Sequence, residues 1–205
     1  MSEATLLYAA LGDSTGVGVG ARDGRGGYVA RLFARLRSRM PGARLMNLCV
    51  SGATSRGVVS AQLAHALSAA PQVATVFMGI NDLIQGVAPA TFASHVERVA
   101  SALEEQRTRV LFCTLPDLAH APAAQYFMRT LGVQRALFET RTLAFNQQIT
   151  ESAERYGHAV QDLFAVPLRD RAHFFSEDGF HPSAQGYEEL AETLWPAFAA
   201  LVPGA

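Results

Sequence analysis

Five short runs rich in apolar, β-branched and aromatic residues recur along the chain, at 5–11, 44–50, 73–79, 109–115 and 159–164. Between them the apolar residues repeat at helical spacing. In 28–40, Val29, Leu32, Phe33 and Leu36 share one face and Pro41-Gly42 stops the pattern; in 91–106, Phe92, Val96, Val99 and Leu103 do the same. The pattern returns over 135–156, capped by Gly157, and over 183–201, where Pro196 is expected to kink or end the helix. Alternating units of this kind force a parallel sheet, because successive parallel strands need a crossover long enough to hold a helix. The expectation is an α/β fold with helices on both faces of a parallel sheet. With no repeat, linker or low-complexity tract, residues 1–205 read as a single domain large enough to bury its own core.

In an open parallel sheet, ligands bind beyond the carboxyl ends of the strands. That edge receives Gly12-Asp13-Ser14, Ser51-Gly52-Ala53-Thr54, Gly79-Ile80-Asn81-Asp82, Pro116-Asp117-Leu118-Ala119-His120 and Asp178-Gly179-Phe180-His181. The net charge of −1 supplies no field for nucleic acid or an anionic membrane, and no stretch approaches the length needed to cross a bilayer. The expected partner is a small molecule, and nothing in the sequence specifies an oligomer. Charge is nonetheless uneven: residues 24–81 carry seven arginines and no acid, +7 against −8 for the remainder. Such a stretch reads first as a solvated face. The N-terminus lacks a basic leader, so a cytoplasmic location is expected. Cys49 and Cys113 end apolar runs without metal-ligand spacing and read as buried thiols.

The glycines of LGDSTGVGVG, at 11–20, admit two readings. GVGVGA matches the G-x-G-x-x-A phosphate fingerprint, which makes a flavodoxin-like nucleotide- or phosphate-binding module the alternative function. That site wants a helix opening at the glycines and an acid about 20 residues on. Here the helical pattern starts only near Tyr28, and after Asp23 the next acid is Asp82. No Walker motif exists either, since the chain has no lysine. The other reading makes Ser14 a nucleophile, which needs a base, a group to orient that base, and donors for the oxyanion. The backbone N–H groups of Ser14 and Gly52 and the side-chain amide of Asn81 are candidate donors on the same sheet edge.

Taken in order, Gly12-Asp13-Ser14, Gly52 within NLCVSGATS, Gly79-Ile80-Asn81-Asp82 and Asp178-Gly179-Phe180-His181-Pro182 resemble the four sequence blocks of the SGNH hydrolases, or GDSL-type esterases and lipases. The resemblance spans residues 12–182. It implies a three-layer α/β/α sandwich whose five-stranded parallel sheet has the order 2-1-3-4-5. It also implies a serine esterase working through an acyl-enzyme without metal or cofactor. In that scheme Ser14 is the nucleophile, His181 the base and Asp178 its orienting group, with Ser14, Gly52 and Asn81 forming the oxyanion hole. Thr15 departs from the leucine in the family's name, at a position outside the chemistry. Substrates consistent with it are short-to-medium acyl esters, lysophospholipids, thioesters and O-acetylated carbohydrates.

Spacing alone does not choose the base, because Asp117/His120, Asp170/His173 and Asp178/His181 all read Asp-x-x-His. Gly179 and Pro182, just before the last helical pattern, favour His181, where the family's pair also sits. With the implied strand order, Cys49 and Cys113 lie three strands apart, roughly 14 Å, too far for a disulfide. The long stretch 116–134 reads as irregular, and its Tyr126, Phe127 and Met128 are candidate substrate-binding residues, with a short core-packing helix as the rival reading. Arg22 and Arg25 are candidates to meet an anionic leaving group.

Overall fold

The computed structural model describes residues 6–168 and 171–203. Strands β1 (Leu7–Gly12), β2 (Arg44–Asn47), β3 (Val73–Phe77), β4 (Arg109–Cys113) and β5 (Ala159–Gln161) form one parallel sheet in the order β2-β1-β3-β4-β5. The central strands are covered on both faces, which is why β1 and β3 read as unbroken apolar runs rather than alternating ones. The one polar side chain inside β3, Thr75, bonds the Tyr8 hydroxyl across the sheet at 2.8 Å.

Helices α1 (Ser14–Val17) and α2 (Tyr28–Arg39) follow β1. After β2 come α3 (Ser55–Gly57), a π-helical turn (Val58–Gln62) and α4 (Leu63–Ala69). Next are α5 (Ile80–Ile84), α6 (Pro89–Glu105), α7 (Ala124–Leu131), α8 (Arg135–Arg155) and α9 (Ala184–Leu201). α2 pairs with α9, whose Phe198 packs on Tyr8 with ring centroids 4.7 Å apart. α6 pairs with α8 on the opposite face through the stacked rings of Phe92 and Phe145, 4.2 Å apart. The three-layer expectation and the strand order both hold.

Several element boundaries differ from the sequence reading. β2 stops at Asn47, whose side chain turns aside to the Gly16 carbonyl and the Cys49 N–H, although Leu48 and Val50 still donate to Ala10 and Gly12 of β1. β5 ends at Gln161 because Asp162 draws its carboxylate to the Thr114 hydroxyl and the Phe164 N–H. Pro196 does not end α9, which runs on to Leu201. The stretch 116–134 is not irregular: it holds a 3₁₀ turn, Leu118–His120, and α7. Helical structure over 55–69 escapes the periodicity because its buried face includes Ser55 and Gln62 beside Val58, Leu63 and Ala66. Cys49 and Cys113 are both free thiols.

Candidate active site

Ser14 follows the last residue of β1 by two positions and opens α1, with Asp13 as the N-cap. Asp13 caps by accepting the Thr15 N–H on Oδ1 at 3.0 Å. As the first helical residue, Ser14 has no intrahelical acceptor for its N–H. A buried side chain holds the strand end beside it. The Gln62 amide donates to the Gly12 carbonyl and accepts the Gly12 N–H, both at 2.8 Å, as a neighbouring strand would.

His181 approaches from the other end of the chain. Residues 174–183 form a narrow loop in which Ser176 N–H bonds His181 O and Ser183 N–H bonds Phe174 O, each at 2.8 Å. Ser183 then caps α9 through the Gly186 N–H. His181 Nε2 lies 2.9 Å from Ser14 Oγ, and Nδ1 lies 2.6 Å from Asp178 Oδ2. Asp178 Oδ1 meanwhile accepts from the Ser176 hydroxyl and the Phe180 and His181 N–H groups at 2.8–2.9 Å. Burial works to raise the Asp178 carboxyl, but the bond to His181 and the other three donors outweigh it and hold it at about 2. An ionised carboxylate only accepts, so Nδ1 carries the imidazole proton and Nε2 faces the Ser14 hydroxyl with its lone pair.

The candidate donors converge less simply. Gly52 sits at φ +78° in a turn closed by the Ala53 N–H to the Val50 carbonyl, and nothing stands within 4 Å of where its Cβ would be. Asn81, in α5, already uses its amide: it donates to the Ala53 carbonyl at 3.0 Å and to Asp13 Oδ2 at 3.3 Å. Asp13 is 1% exposed, and burial pushes its carboxyl up to about 6 against the opposing pull of Thr15. Sequence reasoning missed the clasp beneath this edge. Asp82 accepts the Ser55 hydroxyl at 2.5 Å and the Ser55 N–H at 2.7 Å, and His95 Nδ1 lies 2.8 Å from the same hydroxyl. It ties the Gly52 loop to α5, and the only trace in sequence is an acid directly after Asn81.

Other candidates lie elsewhere. His120 pairs with Asp117 at 3.3 Å, and its Nδ1 takes a bond from Arg135 at 2.9 Å, so this pair is engaged away from Ser14. Asp117, His120 and Glu139 place ligand atoms within 4.8 Å of one another, and the Arg135 guanidinium bonds His120 there. His173 bonds Glu189 at 3.0 Å; its sequence partner Asp170 lies outside the described residues. Arg22 and Arg25 are paired with Glu177 and Glu188. The expected wall from α7 is not at the cavity beside Ser14. Tyr126 is 62% exposed, Met128 is buried in the core, and Phe127 reaches the site only by packing its ring on Phe180, 4.8 Å away. That helix buries Met128 and packs Phe127 on Phe180, while Tyr126 faces solvent.

A sequence model of the GDSL-like lipase/acylhydrolase family matches residues 10–189, which contain every group just described. The chain belongs to this family. It is 27% identical to esterase TesA of Pseudomonas aeruginosa over 97% of this chain and 89% of that protein. It is 29% identical to the GDSL-like esterase Rv1075c of Mycobacterium tuberculosis over 91% of this chain, which spans only 60% of that longer protein. Among solved structures, the psychrotrophic esterase EstA from Pseudoalteromonas sp. shares the fold, with a TM-score of 0.75 at 14% identity, covering 95% of this chain and 97% of that one. This GDSL-type hydrolase is therefore an enzyme of the carboxylic ester hydrolase class. Among its described residues no helix is long and apolar enough to cross a membrane.

Proposed function

We propose that this hydrolase cleaves small-molecule carboxylic esters through an acyl-enzyme formed on Ser14. The observation that carries the proposal is the unbroken relay from Ser14 Oγ through His181 to Asp178, at 2.9 and 2.6 Å. Ser14 Oγ attacks the ester carbonyl while His181 Nε2 takes its proton. Asp178 keeps the imidazole in the accepting tautomer and stabilises the imidazolium. The oxyanion forms against the Ser14 and Gly52 N–H groups, and Asn81 joins them by giving up its longer bond to Asp13. Collapse returns the proton from Nε2 to the alkoxide, the alcohol departs, and water repeats the two steps in reverse to free the acid. The stretch 16–21 does not support the phosphate reading: Gly18 and Gly20 adopt positive φ in a loop, and the long helix α2 opens only at Tyr28, from the N-cap Gly27, rather than at these glycines.

The test is labelling with a fluorophosphonate, which reacts only with an activated serine, followed by peptide mapping. The adduct is expected on Ser14 and nowhere else. Ser14→Ala is expected to lose at least about 10⁴-fold in kcat on p-nitrophenyl acetate. Equal turnover by Ser14→Ala and wild type would overturn the mechanism.

A further inference from the structure

A second group of Asp, Ser and His side chains stands beneath the proposed oxyanion donors, connected in a different order from the relay. Asp82, 1% exposed, takes the Ser55 N–H on Oδ2 at 2.7 Å and the Ser55 hydroxyl on Oδ1 at 2.5 Å. Ser55 is fully buried and spends its one hydroxyl proton on Asp82, so it is no second nucleophile. Toward His95 its oxygen can only accept, and His95 Nδ1, 2.8 Å away, carries the hydrogen. We infer that His95 is a positioning residue of this enzyme, which keeps the Gly52 loop and Asn81 in register through its bond to Ser55; the inference rests on the serine-esterase reading above.

Two rungs join the Gly52 loop to α5. The upper runs from the Asn81 amide to the Ala53 carbonyl at 3.0 Å, and the lower from Ser55 to Asp82, the residue after Asn81. The upper rung belongs to the side chain that must turn toward the oxyanion, so the lower one has to hold the two donors at a fixed spacing. Ser55 Oγ is pinned from both sides only while His95 donates to it. Without that bond a fully buried oxygen keeps one of its two partners, and the rung is weakened. α6 is placed to give this support. Phe92, three residues before His95 and so on the same face, lies where a Cβ on Gly79 would meet its ring at 2.8 Å. The stack of Phe92 on Phe145 ties α6 in turn to α8. One face of α6 thus bears on the segment before Asn81 and on the segment after Gly52, the two carriers of the donors.

The experiment is steady-state kinetics on p-nitrophenyl acetate with His95→Ala and His95→Asn, each in the wild-type and the Asn81→Ala background. His95 is only half-buried, and urea unfolding checks that each variant is folded. His95→Ala should lower kcat about tenfold and leave KM within about twofold, since the donors it positions act in the transition state. His95→Asn, whose amide N–H falls near the place of Nδ1, should recover most of that loss. In the Asn81→Ala background His95→Ala should cost less than about twofold, because the side chain it positions is gone. An unchanged kcat in His95→Ala, no recovery in His95→Asn, or the same fold loss with and without Asn81 would each reject the role. Ser14→Ala in the same assay keeps the two readings apart. Turnover equal to wild type there removes the esterase mechanism itself. Loss of turnover there, with kcat unmoved in His95→Ala, rejects the positioning and leaves the nucleophile standing.

Discussion

Two aspartates of this site carry opposite electrostatic burdens. Asp178 is held at about 2 by four donors, whereas Asp13 is pushed up to about 6 by burial, from an ordinary value of 3.8. The signs of their pH effects follow. Asp178 contributes stability that is complete above the unfolded carboxylate range and is lost as pH falls from about 4 toward 2. Asp13 binds its proton more tightly folded than unfolded, so stability falls as pH rises from about 4 to 6 and is level above that. Urea unfolding of Asp13→Asn across this window should lack that fall, which amounts to about 3 kcal/mol for a shift of two units. The same variant should leave the Thr15 cap partly intact, since an amide oxygen can still accept. Asn81→Ala tests the neighbouring donor: kcat should drop about 10²- to 10³-fold with little change in KM, as expected for a group used only in the transition state. His181→Ala should abolish turnover, while His120→Ala, whose ring bonds Arg135 and not Ser14, should retain most of it; steady-state kinetics on one ester compares them.

At the level of elements, the glycines after Ser14 have a mechanical explanation. Gly20, at φ +94°, lies where a Cβ would stand 2.5 Å from the Pro182 carbonyl and 3.1 Å from His181 Cβ. Gly18 faces Gly27 just as closely, so the loop folds back on itself against the segment that carries His181. Gly20→Ala should therefore lower kcat on p-nitrophenyl acetate tenfold or more by displacing His181, with a smaller change in KM. Far more of this site than of its scaffolding was legible in sequence. Ser14, Asp178 and His181 stand in short local motifs at one sheet edge, and the relay they form needs only that topology. Gln62 was invisible, because a glutamine that completes a strand's hydrogen bonds looks like any polar residue on a helix. The candidate substrate residues lie away from the cavity beside Ser14 for a related reason. Tyr126, Phe127 and Met128 are apolar enough to line a pocket, but only tertiary packing shows that α7 buries Met128, packs Phe127 on Phe180 and leaves Tyr126 exposed, while the cavity beside Ser14 is lined from other segments.

Across the whole molecule, the uneven charge turns out to be a matter of tertiary contact. Three of the seven arginines of residues 24–81, Arg25, Arg31 and Arg35, face acids that lie far along the chain, on α9. Arg31 is 3% exposed, and its guanidinium has a partner for each nitrogen: Gly26 O at 3.1 Å, Asp23 Oδ2 at 2.7 Å and Glu188 Oε2 at 2.6 Å. Arg35 bonds the other Glu188 oxygen at 2.8 Å, and this bond, more than burial opposes it, holds the Glu188 carboxyl below its usual range. One buried cation thus joins α2, the glycine loop and α9, the last two of which flank His181. Removing Arg31 takes the side-chain donor from Asp23 and from the Gly26 carbonyl, while Glu188 keeps Arg25 and Arg35, so the penalty is about 1–3 kcal/mol. Arg31→Ala should lose stability on that scale in urea unfolding, and Arg31→Lys should recover only part, because an ammonium cannot reproduce the fork. Arg25 reaches the same glutamate at 3.0 Å from a side chain 62% exposed, and Arg25→Ala should cost no more than about 1 kcal/mol. Equal losses at Arg25 and Arg31 would mean that charge number, rather than burial, governs this face. A large loss confined to Arg31 would make it the point at which the basic and acidic parts of the chain are fastened together around His181.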